Sequence, residues 1–313
     1  VLQYGYSWQI ALAAVFIEGV IFIFLSCFNV REAIFNAIPM TLKHAVSVGI
    51  GLFIAFIGLQ NAKVVIGGST LLSLFSLEGF QGLNDGAGAF SDVGITVLLA
   101  IIGVIITAIL VVRNVKGNIL WGILITWALG IICQFAGVYV PNPDIGFYSL
   151  LPDFSGGISI PSLSPLFAKF HFTGIPVLEL LVIVFAFLFV DLFDTLGTLV
   201  GVSTKAGMLD KDGKLPKIKG ALLSDAVGTT AGAVLGTSTV TTFVESASGV
   251  AEGGRTGLTA VTTAVLFALS LLLSPIFLAI PSFATAPALI IVGFYMLGNV
   301  MKINFEDASE GIP

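Results

Sequence analysis

Residues 220–255 read GALLSDAVGTTAGAVLGTSTVTTFVESASGVAEGGR. The segment is apolar enough to enter a lipid bilayer, yet it is rich in Gly, Ser and Thr, which weaken or interrupt helices. Irregular backbone at membrane depth is tolerated only where protein or a water-filled cavity satisfies its polar groups. We therefore predict two shorter or broken membrane crossings here, inside the fold and away from lipid.

The composition excludes an ordinary soluble domain. Of 313 residues, 57% are hydrophobic and 10% are charged, and the mean hydropathy is +1.07. The net charge is −5 and the basic residues form no stripe with interleaved aromatic residues, so nucleic acid is not an expected partner. Cys27 and Cys133 lie in apolar runs without metal-ligand spacing. We expect the lipid bilayer as the surroundings, and neither a metal site nor a cofactor.

Long apolar runs recur along the chain, and a membrane-spanning helix needs about 20 such residues. Clear spans are expected at residues 8–28, 47–66, 92–112, 118–140, 173–202, 257–280 and 284–301. Together with the two crossings in 220–255, this predicts an all-α polytopic membrane protein with about nine crossings. We expect a multi-pass protein of the plasma membrane, and the compact loops favour a bacterial inner membrane.

The distribution of Lys and Arg predicts the orientation, because positively charged loops stay in the cytoplasm. One set of loops, which includes Arg31 and Lys43, contains nearly all of these residues. The opposite loops, 62–91 and 141–172, are the longest in the chain but contain only Lys63 and Lys169. They are therefore assigned to the extracytoplasmic side.

Two carboxylates lie inside the span FAFLFVDLFDTLGTLVGV (185–202). Asp191 and Asp194 are three residues apart, on roughly one face of a helix, and no Lys or Arg in that span neutralises them. An ionised side chain at mid-bilayer costs about 3 kcal/mol, and two neighbouring carboxylates in a low dielectric repel each other. The pair suits a group that binds and releases a proton. The alternative is a structural role, in which hydroxyls and backbone N–H groups of the broken helices satisfy the pair.

Glu245 follows a β-branched run, residues 239–244, which favours extended structure. We predict a strand that leads into a helix start, where backbone N–H groups around Ser246 and Gly249 form a small polar pocket beside the carboxylate. The alternative is a structural role for Glu245 as a capping-box partner.

Other polar residues carry weaker predictions. Glu18 lies in the middle of an apolar run, where a proton relay and a structural hydrogen bond are equally supported. Asp225 and Glu252 flank the Gly-rich segment and are interpreted mainly as caps or loop residues near the cytoplasmic face. His44 and His171 are interpreted as interfacial.

Three strings carry a family resemblance: GIGLFIAFIGLQNA (49–62), VDLFDTLGTLVGV (190–202) and GTSTVTTFVESASGVAEGGRTG (236–257). In this order they resemble the nucleobase:cation symporter family of xanthine/uracil permease-like proteins. Ser246 after the Glu is similar to the adenine/guanine/hypoxanthine permease branch.

The resemblance implies a fold of fourteen segments in two inverted repeats of seven, with a core domain that holds the substrate and a gate domain. Residues 1–28 (segment 4) and 173–280 (segments 8–11) are then assigned to the core, and 29–140 (segments 5–7) and 281–313 to the gate. Residues 141–172 are the extracytoplasmic loop. The first three and last two segments, including the partner of the short strand, are expected to be missing from this chain.

The resemblance also implies site residues. Asp194 corresponds to the acidic residue that hydrogen-bonds the base, and Glu245 to its counterpart on the tenth segment, beside Ser246. Asp191 is implied in the proton path with Glu18, while Phe193 and Phe243 offer apolar faces to a planar base.

The expected function is import of purine nucleobases by proton symport, with sodium as the alternative ion, and no enzymatic activity. The sequence does not determine the oligomeric state. A homodimer is one possibility, because gate helices supply dimer contacts in related folds. A sulfate- or bicarbonate-type anion transporter is the first rival, disfavoured by the carboxylates. A membrane transferase with an acidic metal site in DLFD is the second, disfavoured because basic residues for the phosphates are missing. An inert fragment is the third.

Overall fold

The computed structural model describes residues 5–68, 71–76, 90–157, 160–210 and 214–311. Most of these residues are helical. The α-helices are α1 (Trp8–Cys27), α2 (Val30–Ala37), α3 (Met40–Asn61), α4 (Ile95–Val112), α5 (Asn118–Phe135), α6 (Val177–Ala206), α7 (Ile218–Leu235), α8 (Ser246–Ala251), α9 (Gly257–Leu272), α10 (Ser274–Ala279), α11 (Ser282–Leu297) and α12 (Ala308–Gly311). A π-helical turn, Phe90–Gly94, precedes α4, and 3₁₀ turns lie at Pro143–Ile145 and Gly298–Lys302.

Among the residues that the structure describes, five helices are long and apolar enough to cross a membrane, judged by length and composition. They are Trp8–Cys27, Met40–Asn61, Phe90–Val112, Asn118–Phe135 and Ser282–Lys302. Helix α6 has 30 residues, about 45 Å of helix, and its first half exposes Val182, Phe185 and Phe189. Such an apolar outer surface suits contact with lipid.

Several predicted spans differ from the observed helices at their ends. Helix α3 begins seven residues before the predicted start, directly after Pro39, so Lys43 and His44 are helical rather than in a loop. It ends at Asn61, where Lys63 adopts a positive φ of 58° and the N–H of Val64 donates to the carbonyl of Leu59 at 3.0 Å. Val65–Gly67 then pairs with Leu72–Leu74 in an antiparallel arrangement. The span 257–280 is two helices, α9 and α10, which separate before Pro275, since proline removes a helical hydrogen bond.

Segment 220–255 differs from the prediction in two ways. Its first part, predicted as a shorter or broken crossing, is one unbroken helix of 18 residues, α7, which ends at Leu235 and is capped by Gly236 with φ +95°. The predicted strand at 239–244 is not formed, since residues 237–243 have no regular secondary structure. A strand needs a ladder partner, and here the carbonyl of Val240 instead accepts a hydrogen bond from the Thr229 hydroxyl at 2.8 Å. The predicted helix start is present as the six-residue α8.

The chain forms two compact units. Unit 1 comprises Val1–Ile50, Pro161–Ser246 and Gly298–Pro313, and unit 2 comprises Gly51–Ile160 and Ala247–Leu297. The predicted division into core and gate domains remains a prediction.

Unit 1 is built around α1, which packs against α6 and α7, while α2 also packs on α7. Helices α1 and α7 approach closely at Gly19, where an added Cβ would lie 2.8 Å from the backbone nitrogen of Thr230. An apolar cluster that includes Phe35, Leu196 and Leu222 closes one end of this unit. The close contact leaves the polar side chains of α1, α6 and α7 facing one another.

Unit 2 is built from α4, α5 and α11, which contact one another. Thr107 and Thr126 use their hydroxyls on carbonyls of their own helices and face Gly122 and Gly103 across the α4–α5 contact. Small residues at such positions let membrane helices approach closely.

Candidate functional site

Glu18 is completely buried in the middle of α1. Its Oε2 accepts a hydrogen bond from Thr239 Oγ1 at 3.0 Å, and its Oε1 has no hydrogen-bond partner among the described residues. Thr239 belongs to the irregular segment 237–243. The structure therefore joins the carboxylate at the centre of α1 to the segment that the sequence singles out.

Asp191 and Asp194 of α6 meet at one hydroxyl. The Thr241 hydroxyl interacts with both carboxylates and lies 2.9 Å from Thr195 Oγ1 on the same helix, so the two residues share a face of α6, as their spacing predicts. Asp191 is 3% exposed and its Oδ2 has no hydrogen-bond partner among the described residues, whereas Asp194 is half-buried. The two carboxylates thus have different surroundings, one closed and one more open.

Asp225 corrects a prediction. It is not a cap or a loop residue but lies within α7, where its buried carboxylate pairs with the equally buried Arg31 at 2.9 Å. Arg31 also donates to the carbonyl of Leu222 at 2.9 Å and lies over the ring of Phe22, 3.9 Å from its centroid. The expectation that no basic residue lies near the two α6 carboxylates was therefore wrong, whereas the cytoplasmic side of the connection that contains Arg31 remains a prediction.

Segment 237–243 is positioned by α7. Val240 packs toward Gly232, where an added Cβ would lie 2.7 Å from Val240 Cγ2. The residues on either side of Val240 turn the other way, because Thr239 contacts Glu18 and Thr241 contacts the α6 carboxylates. The side chains of this segment therefore alternate in direction as they do in a strand, although no strand partner is present in the part of the chain that the structure describes. The hydroxyls of Thr239 and Thr241 face three carboxylates, Glu18, Asp191 and Asp194.

The remaining candidate residues lie at the border of this cluster. Glu245, Ser246 and Phe243 are exposed, and Glu245 is near enough to Asp194 for their charges to interact. Phe193 is half-buried and packs on Phe189, with ring centroids 4.7 Å apart. Their predicted contacts with a base remain predictions.

The carboxylate cluster defined here contains Glu18, Asp191, Asp194 and Asp225, with Arg31 as its cation. Within the described ranges, no group of three Asp, Glu, His or Cys side chains has the arrangement of a metal site. The hydrogen bonds come from Thr hydroxyls, one guanidinium and the backbone N–H of Thr242, which suits carboxylates that exchange protons or accept N–H groups.

Sequence reasoning missed Arg31, Thr195, Thr239 and Thr241. The threonines stood in the quoted strings, but a Thr-rich run carries no signal of which carboxylate it will contact. Arg31 follows the first span directly, and positive residues at such positions are normally in loops. Arg31 instead belongs to α2, which begins two residues after α1 and is too short to span the membrane. This short helix places the side chain in the interior of unit 1.

Comparison with known proteins identifies the family of this chain. A model of the xanthine/uracil permease family, described as the Permease family, matches residues 2–311. The chain belongs to this family. The predicted family is thereby confirmed, and family and apolar helices together confirm the predicted location as a multi-pass membrane protein.

Individual relatives narrow the comparison. A putative permease of Methanocaldococcus jannaschii is 47% identical over 98% of this chain and 64% of its own length. The guanine/hypoxanthine permease PbuG of Bacillus subtilis is 43% identical over 98% of this chain and 64% of its own. The adenine permease AdeQ of Escherichia coli is 39% identical over 99% of this chain and 63% of its own length. The chain thus spans a little under two thirds of the length of these permeases.

Proposed function

We propose that this permease imports purine nucleobases, among them adenine, guanine and hypoxanthine, by proton symport through alternating access. The observation that carries the proposal is the carboxylate cluster around segment 237–243, in a chain whose relatives are named as adenine and guanine/hypoxanthine permeases. The cluster supports a function in which some carboxylates bind and release protons and a neighbouring carboxylate accepts hydrogen bonds from N–H groups of the base.

Asp194 and Glu245 are the proposed base-binding carboxylates. Purines present N–H donors and ring-nitrogen acceptors, and an ionised carboxylate accepts two or more hydrogen bonds. Asp194 is half-buried and Glu245 is exposed, so both are more accessible than the rest of the cluster. Ser246 begins α8 and supplies a hydroxyl beside Glu245, and we propose Phe193 and Phe243 as apolar contacts of the base.

Asp191 and Glu18 are the proposed proton-coupling groups. Each is buried and has one carboxylate oxygen without a hydrogen-bond partner in the described part of the chain. An added proton on such an oxygen removes a charge that burial disfavours. One charge moved inward is worth about 2.3 kcal/mol per 100 mV, which supports a concentration ratio of roughly fifty.

The proposal includes the architecture of the family. We assign the chain to segments 4–12 of a fourteen-segment inverted repeat, with residues 1–28 and 173–280 in the core and 29–140 and 281–313 in the gate. The carboxylate cluster lies mainly on core helices in this assignment. The anion transporter is not favoured, because four carboxylates face one buried arginine.

Uptake of labelled adenine, guanine, hypoxanthine and uracil tests the proposal. The host lacks its own purine permeases, and the protein is expressed from its complete gene, with and without a protonophore. We expect purine uptake that collapses with the protonophore and in Asp194→Asn and Glu245→Gln. Asp153→Asn, which changes an exposed carboxylate in unit 2, is the matched control and keeps wild-type uptake. A well-expressed protein that moves no base overturns the proposal.

A further inference from the structure

Thr195 lies at the junction of three parts of unit 1. It is completely buried on α6, one helical turn after Asp191. Its Oγ1 lies 3.3 Å from Asp191 Oδ1, 3.2 Å from Asp225 Oδ1 and 2.9 Å from Thr241 Oγ1. One hydroxyl therefore contacts the proposed proton site, the carboxylate paired with Arg31, and the segment beside the base.

The hydroxyl cannot satisfy all three neighbours as a donor. A threonine has one O–H proton and two acceptor lone pairs. The distances to the two carboxylates are nearly equal, and both exceed the usual 2.7–2.8 Å of O–H···O bonds, about what a proton shared between two acceptors produces. The direction of this hydroxyl is thus decided by the charges on Asp191 and Asp225.

The two carboxylates differ in how firmly their charge is fixed. Asp225 is paired with the guanidinium of Arg31 at 2.9 Å, which stabilises its ionised form. Asp191 has an oxygen without a partner among the described residues, and Asp225 and Glu18 repel its charge. Protonation therefore occurs at Asp191 rather than at Asp225. The charged groups that face Asp191 are Glu18 on α1, Arg31 on α2, Asp194 on its own helix and Asp225 on α7, with Glu245 beyond Asp194.

Protonation of Asp191 changes what Thr195 and Thr241 do. A proton on Asp191 Oδ2 makes the carboxyl neutral, so its Oδ1 becomes a weaker acceptor than the ionised Asp225, and Thr195 donates to Asp225. Asp191 is then also the weaker acceptor for Thr241, whose proton goes to Asp194. With Asp191 ionised, by contrast, Thr241 divides its proton between the two α6 carboxylates.

We propose that Thr195 is a positioning residue that couples the protonation of Asp191 to the orientation of Thr241, and thereby to the order of segment 237–243 beside the proposed base-binding carboxylate Asp194. This inference rests on the proposed function. The coupling proton enters and leaves at a carboxylate oxygen of Asp191, and the hydroxyl protons of Thr195 and Thr241 only reorient. Every covalent bond of the two threonines stays intact.

The test compares base binding at several pH values in the purified protein, expressed from its complete gene. In the wild type, hypoxanthine binding strengthens as the pH falls, because the proton and the base bind together. Thr195→Val keeps the shape of the side chain and removes the hydroxyl. We expect the increase in hypoxanthine affinity at low pH to be about tenfold smaller in this variant than in the wild type, which is roughly the value of one hydrogen bond in a low dielectric. Its affinity at high pH is expected to change little.

Two matched variants separate coupling from packing. Thr195→Ser keeps the hydroxyl and is expected to restore the wild-type pH profile. Thr198→Val changes an equally buried threonine of α6 whose Oγ1 has no partner among the described residues, so it keeps the wild-type profile. A Thr195→Val protein with the wild-type profile overturns the inference, and so does a Thr195→Ser protein that loses it.

A second variant keeps the test decisive if Thr195→Val fails to fold. Thr241→Val removes the other end of the same hydrogen bond, and we expect the same loss of the low-pH gain. An unchanged profile in Thr241→Val overturns the inference. Failure of the proposed function is seen separately, because the wild type itself then moves no purine or shows no response to a protonophore.

Discussion

Arg31 Nη2 lies 2.9 Å from Asp225 Oδ2, and both side chains are buried, at 0% and 2% exposure. The two residues are 194 positions apart in the chain and join α2 to α7. A buried guanidinium costs desolvation energy that its partner and hydrogen bonds must offset. Here the carbonyl of Leu222 and the ring of Phe22 contribute with Asp225 to that compensation.

The pair predicts the stability of single and double variants. Arg31→Met leaves the Asp225 charge buried without its partner, and we expect a loss of about 3–5 kcal/mol. Arg31→Met with Asp225→Leu removes both charges and is expected to recover most of that loss. Thermal unfolding of the purified protein in detergent measures both, with Arg113→Met, at an exposed position, as the control. A double variant as unstable as the single one contradicts this account.

Glu18 gives a prediction about coupling. Glu18→Gln preserves the size of the side chain and an oxygen that accepts from Thr239, but it cannot take up a proton. We expect a folded protein whose purine uptake responds much less to external pH than the wild type. Uptake measured from pH 5 to pH 8 checks this, and Glu18→Ala shows the effect of losing the Thr239 contact as well. Wild-type pH dependence in Glu18→Gln would remove Glu18 from the proton path.

Gly232 gives a prediction about the irregular segment. Gly232→Ala places a Cβ 2.7 Å from Cγ2 of Val240, a β-branched side chain with little freedom to move aside. We expect a loss of about 1–3 kcal/mol in stability and a marked fall in uptake, because Thr239 and Thr241 move with Val240. Gly220→Ala is the matched control on the same helix, since nothing lies within 4 Å of its added Cβ. Equal behaviour of the two variants would refute the close-packing argument.

Glu252 gives a prediction about unit 2. Its Oε1 accepts from the backbone N–H of Gly117 at 2.8 Å and from Asn118 Nδ2 at 3.4 Å, at the start of α5. Glu252→Ala leaves those donors to water, and we expect a local loss of about 0.5 kcal/mol, the low end for capping interactions because the carboxylate is exposed. Hydrogen exchange of peptides covering 117–121 measures it, with Glu306→Ala as the control. Unchanged exchange at the start of α5 would show that Glu252 has no capping role.

Several elements were predictable from the sequence because their signal is local. The long apolar runs predict the positions of α1, α4 and α5, because a run of about 20 apolar residues matches the thickness of a bilayer when it is helical. The shared face of Asp191 and Asp194 follows from helical periodicity alone. The ends of the helices were less predictable. Helix α3 begins directly after Pro39, at a position where the hydropathy of the sequence does not change.

The sequence by itself determined that the chain spans a membrane, that residues 237–245 depart from regular helix, and that Asp191, Asp194 and Glu18 are out of place in an apolar run. These are properties of neighbours along the chain. Only the tertiary structure decided which groups meet. Thr239 reaches Glu18 across 221 positions, and Arg31 turns from a loop residue into the partner of Asp225. The physical reason is that helix packing selects these partners, and the close approach of α1 and α7 depends on shapes that no local pattern of residues contains.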